Sequence, residues 1–232
     1  MARNFSRAFT LIELLVVIVV IAVLATIAYP VYTGVIERAR VTQDMNNLRQ
    51  VGLGIQTYLN DNDQVLPATT TWPGTTAAPV LYPKYIATRK VFQSPFDKRT
   101  PSESDAAPPV PISYSINANM YTLASATPPG IERNMARVVS PASTILMAPN
   151  YPSATGDPAN VASWPGVATN APNLPLGGGG ETKGTHSRGT RINALFCDYH
   201  TESLVFGPAG TAGSFQDTMT DPLGLKHWDP TK

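Results

Sequence analysis

The sequence predicts an α+β protein: a long N-terminal helix, first transmembrane and then amphipathic, packed on a small antiparallel β-sheet globular domain with long loops. Three observations carry this. Phe9 to Tyr29 is a strongly apolar run whose one charged residue is Glu13. From Val41 to Leu59 apolar residues recur at three- and four-residue steps. Near the C-terminus two β-rich runs flank the polar turn Asp198-Tyr199-His200. The chain of 232 residues divides into a short leader (1–8), an apolar helix (9–29), its amphipathic continuation (30–61), a loop-rich β domain (62–206) and a tail (207–232).

The apolar helix comes first. At 1.5 Å of rise per residue, Phe9 to Tyr29 is roughly 30 Å long, enough to cross the hydrocarbon core of a bilayer. Arg3 and Arg7 precede it with no acid between them. Positive flanks stay cytoplasmic, so the C-terminal side of the helix points outward. A secretory signal has a shorter apolar core with a small-residue cleavage site after it; here the small residue, Ala8, comes before a longer run. A plain signal anchor accounts for the hydrophobicity and the arginines. It does not account for Glu13, because an ionisable group in a spanning segment needs a partner.

Beyond Pro30 the stripe Val41, Met45, Leu48, Val51 or Gly52, Ile55 and Tyr58 or Leu59 marks one buried helix face, with Arg38, Arg40, Asp44, Arg49 and Gln50 at other positions. A two-stranded coiled coil uses such a stripe too, but Gly52 and Gly54 favour close packing on the chain's own domain. The helix is expected to stop near Asn60, where Asn60-Asp61-Asn62-Asp63 supplies terminating chemistry. Asp61-Asn62-Asp63 also starts like a calcium loop but lacks the downstream Gly and Glu.

Eighteen of the 22 prolines lie between 66 and 183, which excludes long helices there. Val80 to Ile86 is expected to start a short helix with Tyr82, Tyr85 and Ile86 turned inward. Ile112 to Ile116 and Ser143 to Ala148 read as strands. Tyr151 to Thr185, with Gly177 to Gly180, reads as a long exposed loop. Arg191 to Cys197 and Thr201 to Phe206 form a hairpin, with Ile192, Ala194 and Phe196 on one face and Asn193, Leu195 and Cys197 on the other. Cys197 is the lone cysteine, so no intramolecular disulfide forms, and its apolar neighbours make it a core residue. The net charge of +1 gives no basic patch suited to nucleic acid. In the tail, Phe215, Leu223, Leu225 and Trp228 are candidates to dock on the domain or on a neighbouring subunit.

Ala8-Phe9-Thr10-Leu11-Ile12-Glu13-Leu14-Leu15-Val16 resembles the processing site of type IV prepilins and type II secretion pseudopilins. The resemblance implies cleavage by a prepilin peptidase between Ala8 and Phe9, methylation of the new Phe9 amine, and a helix kept as anchor and assembly handle. The family usually has Gly where this chain has Ala8. It also implies roles in assembly for Glu13, paired with the α-ammonium of a neighbouring subunit, and for Pro30, where helices of the family loosen in the filament. An interior proline removes a hydrogen bond and kinks or locally melts a helix; Pro30 alternatively marks only the membrane exit.

His186 to His200 looks like the C-terminal motif of pilin-like proteins with a processing-associated His-x9-Asp-Gly domain. Val91-Phe-Gln-Ser94-Pro95 resembles a place where that family has Phe-x-Cys-Pro, and Ser113 to Asn119 and Ser140 to Leu146 agree with it as well. This chain departs from the pattern: eleven residues separate His186 from Asp198, Tyr199 replaces Gly, and Ser94 replaces Cys. Because a tight turn with positive φ disfavours Tyr, a wider turn is expected. His186, Asp198 and His200 offer metal-ligand chemistry, but no zinc-site spacing surrounds them. Asp198 is read as a turn cap and His186 as a backbone partner.

The resemblance therefore implies a non-enzymatic structural subunit without cofactor or metal. Its partners would be other copies in a helical filament, the prepilin peptidase, the inner-membrane assembly machinery and, before assembly, membrane lipid. Its location would be the bacterial inner membrane as precursor and an extracellular or periplasm-spanning filament once assembled. A different class is a membrane-anchored extracytoplasmic binding or enzymatic module that never polymerises, with its site at the His186/Asp198/His200 corner or the long loop.

Overall fold

A computed structural model describes residues 10–67, 80–97, 113–121, 130–149, 185–187, 191–205 and 230–231. The leader, Ala8, Phe9, Gly177 to Gly180 and the tail's apolar residues lie outside these. The chain divides into two compact units, Met1–Ala39 and Arg40–Lys232.

In the first unit, the long helix α1 (Leu11–Asp61) begins. Leu11 to Val35 exposes leucine, isoleucine and valine side chains on every face. A helix that is apolar all round has no solvated face, and α1 is long and apolar enough to cross a membrane. Pro30 lies inside α1, which continues through it. Proline has no N–H to offer the Thr26 carbonyl one turn back. Two nearby hydroxyls bond backwards along the same stretch, Thr26 Oγ1 to Val23 O at 2.7 Å and Thr33 Oγ1 to Pro30 O at 3.0 Å, a local competition that slightly bends helices.

The second unit has a four-stranded antiparallel sheet in the order β1 (Tyr114–Ile116), β2 (Ile145–Pro149), β3 (Arg191–Phe196), β4 (Thr201–Val205). Neighbours in space are neighbours in sequence. The predicted strands are present, shortened or shifted by one or two residues. The β3–β4 ladder runs from Arg191 opposite Val205 to Leu195 opposite Thr201.

Both faces of the sheet are buried. On one, Leu48, Val51, Ile55 and Leu59 of α1 form a core with Tyr114, Ile116, Leu146, Met147, Leu195 and Cys197. Each such side chain contributes roughly 1.5–3 kcal/mol by leaving water. On the other, Ile192, Ala194 and Phe196 cluster with Ile145, Ala148 and Leu204, so the face assignments of β3 read from alternation hold. Leu146 and Met147, adjacent in sequence, fall in the same cluster because the β2–β3 register shifts between Ile145 and Met147. A bulge breaks the two-residue alternation in this way.

At the two glycines of the amphipathic half, α1 lies close against its domain. A Cβ at Gly52 would meet Leu195 Cδ1 at 2.9 Å, and one at Gly54 would meet Ile86 Cγ1 at 2.5 Å. The helix ends at Asp61. Asn62 N and Gln64 N both donate to Leu59 O, and Asp63 and Gln64 take positive φ. The Asp61 carboxylate is bound by Tyr85 Oη at 2.8 Å and Lys84 Nζ at 3.3 Å, so it serves the helix end rather than a calcium loop.

Two expectations are corrected. Val80 to Ile86 is a turn, not a helix: Tyr85 N and Ile86 N both donate to Leu81 O, and Pro83 pushes the preceding residue away from helical backbone. Its Ile86 is nonetheless buried, with Tyr82 and Tyr85 partly so. A short 3₁₀ helix follows instead at Arg89–Phe92, capped by Thr88. The β3–β4 turn is tight, not widened. Tyr199 N donates to Phe196 O, Phe196 N donates to His200 O, and Tyr199 itself adopts φ 68°. This is a three-residue loop with its last residue left-handed, where glycine is usual. A left-handed L-residue costs roughly 1–2 kcal/mol, offset here by the half-buried Tyr199 ring packed against the core.

Candidate functional site

The first candidate is the start of α1. Thr10 immediately precedes the helix and Glu13 lies in its first turn. Thr10 N donates to Glu13 Oε2 at 2.9 Å and Thr10 Oγ1 donates to the same oxygen at 2.7 Å. In return, Glu13 N donates to Thr10 Oγ1 at 3.3 Å. This is a capping box, which satisfies donors a helix start leaves open. The position also sets the carboxylate against the positive end of the helix dipole. Glu13 is exposed, and its Oε1 takes no partner among the described residues. Thr10 is the functional residue the sequence reasoning missed, although Thr10-Leu-Ile-Glu13 before an apolar run is itself the capping-box signal.

The second candidate, the His186/Asp198/His200 corner, is not one site. His186 is 3% exposed and bridges to the first residue of β3: His186 N donates to Arg191 O and Arg191 N to His186 O, each at 3.2 Å. Its ring nitrogens meet Thr185 Oγ1 at 2.8 Å and Ser203 Oγ at 3.0 Å, and the ring stacks on Phe96. Asp198 lies beyond the other end of β3. Its Oδ1 accepts from His200 N at 3.1 Å and also meets His200 Nδ1. The six residues of β3 separate the two ends by roughly 17 Å at strand rise. His200 stacks on Phe196 instead. Among the described residues no group of three or more His, Cys, Asp or Glu side chains is arranged to hold a metal ion. Cys197 is buried, and burial pushes its thiol well above the usual range, so it is a poor nucleophile.

A third constellation was not anticipated. Asp44, read from sequence as one of the polar positions, is 0% exposed. Its Oδ1 accepts from Ser94 Oγ and Tyr114 Oη, both at 2.6 Å, and its Oδ2 accepts from Asn193 Nδ2 at 2.8 Å. The carboxyl thus joins α1 to the turn at Ser94, to β1 and to β3. Burial raises its pKa above the ordinary aspartate value, against the lowering by the three hydrogen bonds. The signal was available: Val41, Asp44, Leu48, Val51 and Ile55 follow the apolar spacing, with Asp44 in the stripe.

Residues 3–29 match the family model described as the prokaryotic N-terminal methylation motif. The match supports a type IV pilin- or pseudopilin-like protein, a substrate of the prepilin-peptidase type, with a membrane-anchoring N-terminal helix. It ends before the globular unit, so the likeness of His186 to His200 to a C-terminal family motif stands on those residues alone. No curated protein and no solved structure matches the chain.

Proposed function

We propose that this chain is a structural subunit of a type IV pilus-like or type II secretion pseudopilus-like filament, cut before Phe9 in the inner membrane and polymerised through its apolar helix. The observation that carries the reading is the junction of the methylation motif with the geometry at its centre. Thr10 holds one oxygen of Glu13 and leaves Oε1 open. A carboxylate oxygen accepts more than one hydrogen bond, so the group is half-occupied. Cleavage between Ala8 and Phe9 leaves the Phe9–Thr10 peptide bond, and with it the Thr10 N–H of the cap, intact. It creates an α-ammonium, and the Phe9 ammonium of a neighbouring subunit is the partner proposed for Oε1. Head-to-tail contacts of this kind that do not close generate open helical filaments. The pairing neutralises the carboxylate and sets the axial register. Pro30, with its missing N–H, is the proposed place where the helix yields during assembly.

The test is Glu13→Ala. The variant inserts in the membrane like the wild type but yields few filaments; wild-type filament numbers from it would overturn the pairing. The non-polymerising alternative loses its most concrete site, since His186 and Asp198 sit at opposite ends of β3.

A further inference from the structure

We propose that Asp44 and Asn193 form a proton-responsive latch between α1 and the sheet, holding the globular unit more firmly when the Asp44 carboxyl keeps its proton than when it is ionised. This does not depend on whether the chain polymerises. Four segments meet at the carboxyl: α1 itself, the turn carrying Ser94, β1 through Tyr114 and β3 through Asn193. All three described donors are neutral, so the ionised form is solvated by dipoles and not paired with a cation. A buried carboxylate in that position is costly. The other titratable groups facing it are Tyr114, which donates directly, and Asp97, one hydroxyl further away: Asp97 Oδ2 accepts from Ser113 Oγ at 2.7 Å, and Ser113 Oγ accepts from Ser94 N at 2.9 Å.

Asn193 gives the protonated form somewhere to put its hydrogen. In the arrangement seen, Asn193 Nδ2 donates to Asp44 Oδ2 and, at 3.3 Å, to Val41 O. Its Oδ1 is buried with no hydrogen-bond partner among the described residues. Rotating the amide by half a turn brings that oxygen to Asp44. A protonated Oδ2–H then donates to it, while Ser94 and Tyr114 keep donating to Oδ1. A carboxylic acid donates one hydrogen bond and an amide can present either end. The Asp44–Asn193 hydrogen bond is therefore available in both protonation states, with the amide reversed between them at the cost of the longer Nδ2 bond to Val41 O.

The sign follows from linkage. A carboxyl that holds its proton more tightly folded than unfolded contributes stability fully below the unfolded pKa and loses it as pH rises through the folded pKa. Thermal unfolding of the full-length chain in detergent micelles, followed from pH 4 to pH 8, is compared with that of Asp44→Asn. The neutral amide cannot ionise, and the other titrations cancel in the difference. The expected result is a wild-type midpoint that falls relative to the variant as pH rises. A difference that is flat with pH, or that moves the other way, overturns the latch. If Asp44→Asn does not fold, ¹³C-carboxyl titration of the wild-type chain decides: a protonated Asp44 persisting above the ordinary aspartate pKa supports the proposal, and ionisation at or below it refutes it.

Discussion

Asp44 shows how one residue changes what an amphipathic helix means. A carboxylate on an apolar stripe is tolerated where donors reach it, and Ser94, Tyr114 and Asn193 all reach it. Removing Ser94 or Tyr114 takes away one of the two donors that Oδ1 accepts from. Ser94→Ala and Tyr114→Phe should each lower stability by roughly 1–3 kcal/mol, the range for hydrogen bonds to charged or buried groups. Chemical denaturation of each variant checks this, and an unchanged midpoint would remove the network from the account. Ser94 stands where the resemblance suggests a cysteine. A hydroxyl is the stronger donor of the two, so Ser94→Cys should weaken the network in the same direction but less than Ser94→Ala.

At the scale of the element, α1 is two helices in one. Its first half is apolar all round and its second half is striped, and both characters are written in the spacing of apolar residues. Gly52 and Gly54 also announced close approach, and Leu195 and Ile86 lie against them. Gly54→Ala gains about 1 kcal/mol of helix propensity, but its Cβ would fall 2.6 Å from Ile86 Cδ1 in a buried contact. Overpacking costs roughly 1–3 kcal/mol, so denaturant titration should find Gly54→Ala less stable than wild type. Nothing lies within 4 Å of a Cβ at Gly34, and Gly34→Ala should leave stability unchanged or slightly higher. Strands and hairpin faces were legible because alternation survives wherever the ladder is regular. The register shift in β2 was not, since a bulge leaves no compositional mark. The tight Tyr199 turn was not legible because local backbone preference disfavours it and the packing that offsets that preference is tertiary. Asp44 is polar by type, but its place in the apolar stripe decides that it is buried.

For the whole molecule, membrane and filament are two settings for the same exposed apolar surface. On the proposed reading, acyl chains cover Leu11 to Val35 before assembly and the helices of other copies cover it in the filament. The globular unit brings its own core and needs neither. The Thr10–Glu13 cap is present in the single chain, and the open Oε1 is the proposed link to a neighbouring copy. In the proposed assembly, cleavage at Ala8 connects the two settings, because it would supply the ammonium. The most direct measurement is to shear the cell surface and determine the mass of this chain's N-terminal peptide in the sheared material. The expected peptide begins at methylated Phe9. A chain missing from that fraction, and found in the membrane still carrying Met1 to Ala8, would contradict it.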